Sequence, residues 1–204
     1  MVKLHEKFND NQVQYFSISL LVFFLFICFM PFNYFQLKGR KQLARTLGHV
    51  FISPFGKVRF RHFFLADVIT SLTSPLQHVL IIECYYQNKH FIDAGSVKLA
   101  DECPVANGVF WLMAFLPYWW RMMQCFRKYH DSNWELTIQF WNAMKYFSCL
   151  VTPTVLFFLT SQSGSPPGIK YETDWLFWLF MLCKFIQTTY CYIWDIYVDW
   201  GLLR

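Results

Sequence analysis

The chain has 204 residues, of which 55% are hydrophobic and 22% aromatic, whereas only 15% are charged. Soluble proteins typically contain about 25% charged residues. A single soluble core of this size does not bury so much aromatic surface, and the same composition excludes an intrinsically disordered chain. The composition therefore predicts an all-α integral membrane protein.

The charge and cysteine patterns exclude several functional classes. The net charge is +5, but the basic residues occur in blocks between uncharged runs, so we expect no nucleic-acid partner. The seven cysteines form no C-x-x-C pair and show no metal-like spacing with histidine, so we expect neither a disulfide framework nor a metal site. We find no nucleophile–base pair and no Gly-rich phosphate loop. We therefore predict no enzyme, no catalytic residue and no cofactor.

Five apolar segments approach the roughly 20 residues that a helix needs to cross a bilayer core. They cover residues 18–35, 63–86, 103–120, 140–161 and 175–194. A Pro/Gly-rich loop at 163–168 separates the last two. The sequence therefore predicts a polytopic bundle of about five transmembrane helices over residues 15–204, preceded by a non-cytoplasmic segment at 1–14.

Basic residues orient these segments. Seven lysines and arginines and no acid lie between residues 38 and 61, and a second basic group follows at 121–128. The positive-inside rule assigns both connections to the cytoplasm. The sequence Trp119-Trp120-Arg121 favours an interfacial aromatic belt with a basic anchor. As an alternative to topology signalling, the stretch 38–61 fits a surface that binds cargo proteins or anionic lipid headgroups.

Ionisable residues within the apolar segments converge on one depth. A charged side chain at a helix centre costs about 2.5 to 3.5 kcal/mol on insertion scales, so each requires a reason. In the oriented bundle, Asp67, Lys145 and Asp195 share the cytoplasmic end of three different helices. Asp199 stands one turn beyond Asp195, and two acids so close need a cation such as Lys145. The alternatives are that Lys145 snorkels to the interface and that the two acids form a solvated helix end.

Two polar stripes support this convergence. Asp67, Thr70, Ser71 and Ser74 share one helical face, with Thr73 beside them. A second face carries residues spaced by three or four positions, namely Lys184, Thr188, Cys191, Asp195 and Asp199. Lys184 lies near the middle of its segment. It is equally well explained as a structural charge paired with another group and as a residue of the pathway.

Four motifs in order carry a family resemblance. They are Ser53-Pro54-Phe55 followed by Phe64-Leu65-Ala66-Asp67, then Leu116-Pro117-Tyr118-Trp119-Trp120-Arg121 with Gln124-Cys125, then Asn142-Ala143-Met144-Lys145-Tyr146, and finally Trp194-Asp195 with Asp199-Trp200-Gly201-Leu202. Together they resemble the EXS-domain family, which includes eukaryotic phosphate exporters and related yeast Golgi protein-retention proteins. Val68 stands where the family usually has Gln, and Thr70 where Asn is common.

The resemblance implies a transporter of inorganic phosphate, either out of the cytoplasm or out of the Golgi lumen. It implies a phosphate pathway formed by Asp67, Thr70, Thr73, Lys145, Asp195 and Asp199. It also implies further C-terminal helices whose arginines complete the anion site, so we expect an incomplete transmembrane domain. An SPX domain is absent, which favours the Golgi membrane over the plasma membrane. The expected partners are inorganic phosphate and the lipid bilayer, with a homodimer left open. The alternative function is a non-transporting membrane adaptor that retains Golgi proteins.

Overall fold

A computed structural model of the chain describes residues 10–33, 36–87, 108–163 and 175–202. Every regular element in these ranges is helical, which confirms the all-α class. The α-helices are α1 (Asp10–Phe29), α2 (Leu37–Phe51), α3 (Phe60–Ser71), α4 (Thr73–Gln87), α5 (Gly108–Asp131), α6 (Thr137–Ser163) and α7 (Trp175–Trp194), and a π-helical turn (Asp195–Asp199) follows α7. Within the described ranges, Thr137–Leu159 and Trp175–Asp199 are long and apolar enough to cross a membrane. The count of five transmembrane helices stays a prediction.

The first helix begins and ends earlier than the apolar run that predicts it. α1 ends at Phe29, because Pro31 has no backbone N–H with which to continue the helical ladder. Arg40 of α2 covers this helix end, since its Nη1 donates to the carbonyls of Ile27 and Cys28 at 2.6 and 3.0 Å. A cation at a helix C-terminus is favoured by the helix dipole. This contact ties the basic helix α2 to α1.

The second predicted segment is two helices instead of one. Residues 63–86 were expected to form a single span, but α3 ends at Ser71 and α4 begins at Thr73, with Leu72 between them. Pro75 lies in the first turn of α4, where it lacks an N–H and its ring excludes a helical carbonyl at Ser71. The break therefore has a local cause, and it divides the polar stripe of this segment between two helices.

The core lies between α5 and α6. Its buried residues are Met122, Cys125, Ala143, Tyr146 and Leu150. α5 runs to Asp131, well past the predicted boundary at 120, so most of the second basic connection is helical. The connection to α6 is then only residues 132–136. Such a short connection makes α5 and α6 antiparallel neighbours.

α6 also packs against α7 on its other side, and the contacts between them define an antiparallel register. Lys145 of α6 meets Asp195, which directly follows α7, and Cys149 meets Cys191 one turn further along. α6 therefore lies between α5 and α7. Parts of four segment predictions lie outside the described residues: 1–9 of the N-terminal segment, 34–35 of the first span, 103–107 of the third span and 164–168 of the loop.

Candidate functional site

A cavity of about 470 Å³ lies between α3, α5, α6, α7 and the π-helical turn. Asp67, Lys145, Asp195 and Asp199 all line it. Three separate helical elements therefore bring these four predicted site residues to one space. In the described ranges, no three His, Cys, Asp or Glu residues converge as metal ligands would.

Lys145 is the cation between the two acids of the α7 end. Its side chain is only 10% exposed, and its Nζ lies 3.6 Å from both Asp195 Oδ1 and Asp199 Oδ2. The Nζ also lies 5.1 Å from the ring centre of Tyr146 and 5.5 Å from that of Trp194. The Lys145 ammonium is therefore surrounded by carboxylates and aromatic rings of the protein itself.

The two acids are held by a change of helix type. The Trp200 N–H donates to the Asp195 carbonyl at 2.8 Å, which is the wider hydrogen-bond spacing of a π-helix. The indole Nε1 of Trp194 donates to Asp199 Oδ1 at 3.2 Å, so the second oxygen of Asp199 is the one that faces Lys145. The sequence periodicity extrapolates an α-helix through Asp199, and the structure replaces its last turn.

Arg121 belongs to the site, although the sequence predicted it as an interfacial anchor. Its side chain is 1% exposed, and its Nε donates to Asp67 Oδ1 at 2.9 Å. The guanidinium carbon lies 3.6 Å above the centre of the Phe63 ring. The aromatic-belt interpretation is therefore wrong for this residue. The signal that could have identified it is its place in the Leu116–Arg121 motif quoted above.

Asp67 is held more tightly than the acids beside Lys145. The Tyr146 hydroxyl donates to the same Oδ1 at 2.9 Å, so two donors converge on one carboxylate oxygen. Gln124 extends this network, since its Oε1 lies 3.5 Å from Arg121 Nη1 and its Nε2 donates to the His62 carbonyl at 3.2 Å. Charge-assisted hydrogen bonds of 2.7–2.9 Å are strong. The contacts of Asp67 are thus shorter than the 3.6 Å contacts of Lys145.

The hydroxyl residues of the α3–α4 segment divide between two cavities. Thr70 lines the first cavity and donates to the Asp67 carbonyl at 2.7 Å. Thr73 lines a second cavity of about 380 Å³, and its hydroxyl donates to the Thr70 carbonyl at 2.8 Å. Lys184 lines the second cavity and does not contribute to the first. The structure therefore separates Thr73 and Lys184 from the four acidic and basic residues.

The two cavities share a wall. Tyr118 of α5, Cys149 of α6 and Gln187 of α7 line both of them. Each of the three helices thus contributes one side chain to the boundary. The two cavities are therefore adjacent, and the Asp67, Lys145, Asp195 and Asp199 side chains all line the first.

A separate ion pair closes the far end of α5. Arg127 Nε lies 2.9 Å from Asp131 Oδ1, one helical turn apart. The hydrogen bond from the Arg127 guanidinium lowers the pKa of the Asp131 carboxyl below its ordinary value. The Arg127–Asp131 pair is outside the cavity, so it serves as a more exposed comparison for the Arg121–Asp67 pair.

Comparison with known proteins gives one family and several named relatives. A family model described as the EXS family matches residues 1–204. The chain is 31% identical over 196 residues to SPX and EXS domain-containing protein 1 of Dictyostelium discoideum, covering 96% of this chain and 20% of that protein. It is 32% identical over 205 residues to Phosphate transporter PHO1 of Arabidopsis thaliana, covering 97% and 24%. It is 30% identical over 194 residues to Solute carrier family 53 member 1 of Mus musculus, covering 92% and 27%. The chain thus spans about a quarter of these relatives' length.

Proposed function

Because the chain belongs to the EXS family of membrane proteins, we propose that it forms part of a pathway that moves inorganic phosphate across a membrane. Relatives over nearly the whole chain are named phosphate transporters. The single observation that carries the proposal is the buried ammonium of Lys145 at the wall of a cavity, held at 3.6 Å by two carboxylates.

The looseness of this contact suits exchange of an anion. A phosphate oxygen can replace a carboxylate oxygen at Lys145, because the 3.6 Å separations exceed the length of a strong charge-assisted hydrogen bond. Asp195 and Asp199 have side chains that are 46% and 51% exposed, so both can turn toward water when an anion arrives. The Asp67–Arg121 pair stays in place and fixes the opposite wall.

The charge of the site keeps its affinity moderate. Three carboxylates, those of Asp67, Asp195 and Asp199, face two cations, Arg121 and Lys145, so the formal net charge is minus one. A phosphate dianion therefore enters only by competing with resident carboxylates. Conduction requires binding that is favourable enough for entry and weak enough for release. The three carboxylates weaken the binding of phosphate and so favour its release.

The proposal also covers the direction of phosphate movement and the membrane in which the protein is located. We infer movement out of the cytoplasm or out of the Golgi lumen, with the Golgi membrane as the location. Imaging of the tagged protein in its own cells against Golgi and plasma-membrane markers tests the location. Label at the cell surface alone would contradict it.

Phosphate efflux from proteoliposomes tests the transport function. We expect Lys145→Gln to abolish most of the efflux of radiolabelled phosphate, and Lys145→Arg to retain part of it because the positive charge is kept. Lys41→Gln is the matched control, since it removes a lysine charge from the exposed face of α2. Equal efflux from Lys145→Gln and the unsubstituted protein would exclude Lys145 from the pathway.

The adaptor function has one observation in its favour. α2 is an amphipathic helix that buries Thr46 and Val50 and exposes Lys38, Lys41 and Arg45. Such a face suits anionic partners at a membrane surface. Efflux no greater than that of empty vesicles, from protein that is correctly inserted, would favour the adaptor over the transporter.

A further inference from the structure

Two cysteines from adjacent helices meet one turn beyond Lys145. Cys149 of α6 and Cys191 of α7 are both free thiols, and their sulfurs lie 3.8 Å apart. We propose that this pair is an oxidation site, which a peroxide converts to a disulfide joining α6 to α7, and that the disulfide closes the passage between the two cavities. The second half of the proposal rests on the proposed transport function.

The register of the helices makes the pair part of the site. Lys145 contacts Asp195, and four residues along each antiparallel helix Cys149 contacts Cys191. Four residues are about one helical turn, so the thiols lie directly above the ion pair. A disulfide bond is about 2.05 Å long, so the sulfurs approach by about 1.8 Å on oxidation. Side-chain rotation and a small shift of α7 supply this movement.

An oxidant reaches the thiols through the cavity. Both cysteines line the 470 Å³ cavity, and Cys191 is partly exposed whereas Cys149 is buried. Cys191 therefore meets the peroxide first. Its thiol releases a proton, and the thiolate attacks one peroxide oxygen. The O–O bond breaks, a sulfenic acid forms, and the leaving hydroxide takes up that proton to become water. The Cys149 sulfur then attacks the sulfenic sulfur and releases a second water. In total, two thiols lose two electrons and two protons, and one hydrogen peroxide is reduced to two waters.

The position of Cys149 links oxidation to transport. Cys149 lines both cavities together with Tyr118 and Gln187, so it forms part of the wall between them. An ion that passes from one cavity to the other requires this wall to open between α6 and α7. The disulfide fixes the two helices at that level. Oxidation is therefore expected to reduce efflux, and a thiol reductant is expected to restore it.

The experiment combines a chemical and a transport measurement on the same proteoliposomes. After hydrogen peroxide treatment and non-reducing proteolysis, mass spectrometry should find a peptide pair containing Cys149 and Cys191 that is two hydrogens lighter than its parts. Peroxide should lower phosphate efflux, and dithiothreitol should reverse the loss. Cys183→Ser is the matched control on α7 and should behave like the unsubstituted protein. Cys191→Ser should lose both the cross-link and the peroxide sensitivity. If Cys191→Ser folds poorly, Cys149→Ala provides the same test from the other helix.

Three outcomes separate the parts of the proposal. Cys149 and Cys191 recovered as free thiols after peroxide, or each paired with another cysteine, would refute the oxidation site. A cross-link that forms without any change in efflux would refute its action on the passage. Absence of efflux before peroxide treatment would refute the proposed transport function, while the peptide analysis would still decide whether the thiols are an oxidation site.

Discussion

Removal of the Asp67 carboxylate should destabilise the protein more than removal of the arginine that it binds. Arg121 is 1% exposed, whereas the Asp67 side chain is 48% exposed. Breaking a fully buried pair by deleting one partner costs about 3 to 5 kcal/mol, because an uncompensated charge remains buried. Exposed pairs contribute only about 0 to 1 kcal/mol. For a pair with one buried and one half-exposed partner, we expect Asp67→Ala to lower the free energy of unfolding by about 2 to 3 kcal/mol.

The reverse deletion leaves the half-exposed carboxylate instead. In Arg121→Met, the carboxylate keeps the Tyr146 hydroxyl at 2.9 Å and gains water from the cavity, while methionine fills most of the arginine volume. The loss is then chiefly the cation–π contact with Phe63, about 1 kcal/mol. In the double variant Asp67→Ala with Arg121→Met, neither charge of this pair remains. We therefore expect the second substitution to recover about 1 to 2 kcal/mol of the loss caused by the first.

Equilibrium unfolding in mixed micelles, followed by circular dichroism, measures these differences. Asp131→Ala is a suitable control, because it removes an aspartate whose arginine partner is much less buried than Arg121. A double variant that is as unstable as Asp67→Ala, or less stable, would refute the reasoning. The loss would then come from the missing Asp67 side chain itself and not from the stranded guanidinium.

Three further predictions concern single contacts. Gln124→Leu should cost about 1 kcal/mol of stability, because it removes the buried side-chain hydrogen bond from Gln124 to the His62 carbonyl. Arg40→Met should cost about 1 kcal/mol and increase hydrogen exchange at the end of α1, where its guanidinium bonds the last carbonyls. Asp131→Asn should reduce stability at neutral and mildly acidic pH and lose its effect in strong acid. The Asp131 pKa is lowered in the folded state by Arg127, so its contribution is present above the ordinary carboxyl pKa of 3.8 and is lost as pH falls through the lower folded value.

Each of these has a matched comparison. Gln139→Leu, on α6, is the comparison for Gln124→Leu, because it makes the same change of side chain at a glutamine that is not the donor to the His62 carbonyl. Lys41→Met removes a charge from the residue next to Arg40 and should leave exchange in α1 unchanged. For the aspartate, a stability difference that persists at the lowest pH would show that the Asp131 effect is steric and not electrostatic.

The sequence could predict the ion cluster because helical periodicity and depth are both readable from it. Asp195 and Asp199 are spaced by four, and the positive-inside rule brings Lys145 to the same level. The geometry agrees with this placement, and the phosphate-binding role of these residues stays a prediction. Arg121 was missed for a physical reason. An arginine that follows an aromatic run marks the membrane interface in most helices, and only the position of Asp67 on another helix reveals that this one is buried.

The break between α3 and α4 illustrates a different gap. Apolar content alone predicted one span over 63–86, because it ignores backbone hydrogen bonding. Pro75 is present in the sequence, and a proline is tolerated only in the first turn of a helix, so it predicts that a new helix begins just before it. The consequence for the site could not be predicted, since it depends on which cavity each helix faces. Thr70 and Thr73 are only three residues apart, and yet they line different cavities.

On the proposed transport function, the difference in length between the contacts of the two ion pairs predicts that Lys145 exchanges its partners while Arg121 keeps its own. Arg121 has its charge satisfied at 2.9 Å by a carboxylate that also accepts from Tyr146, so this pair resists competition from an entering anion. Lys145 divides its charge between two carboxylates at 3.6 Å, and neither contact is short enough to hold it firmly. An anion that enters the cavity is therefore expected to compete for Lys145, because displacing its carboxylates costs less interaction energy than displacing Asp67 from Arg121. Repulsion from the same acids is expected to weaken the binding of that anion and so to favour its release.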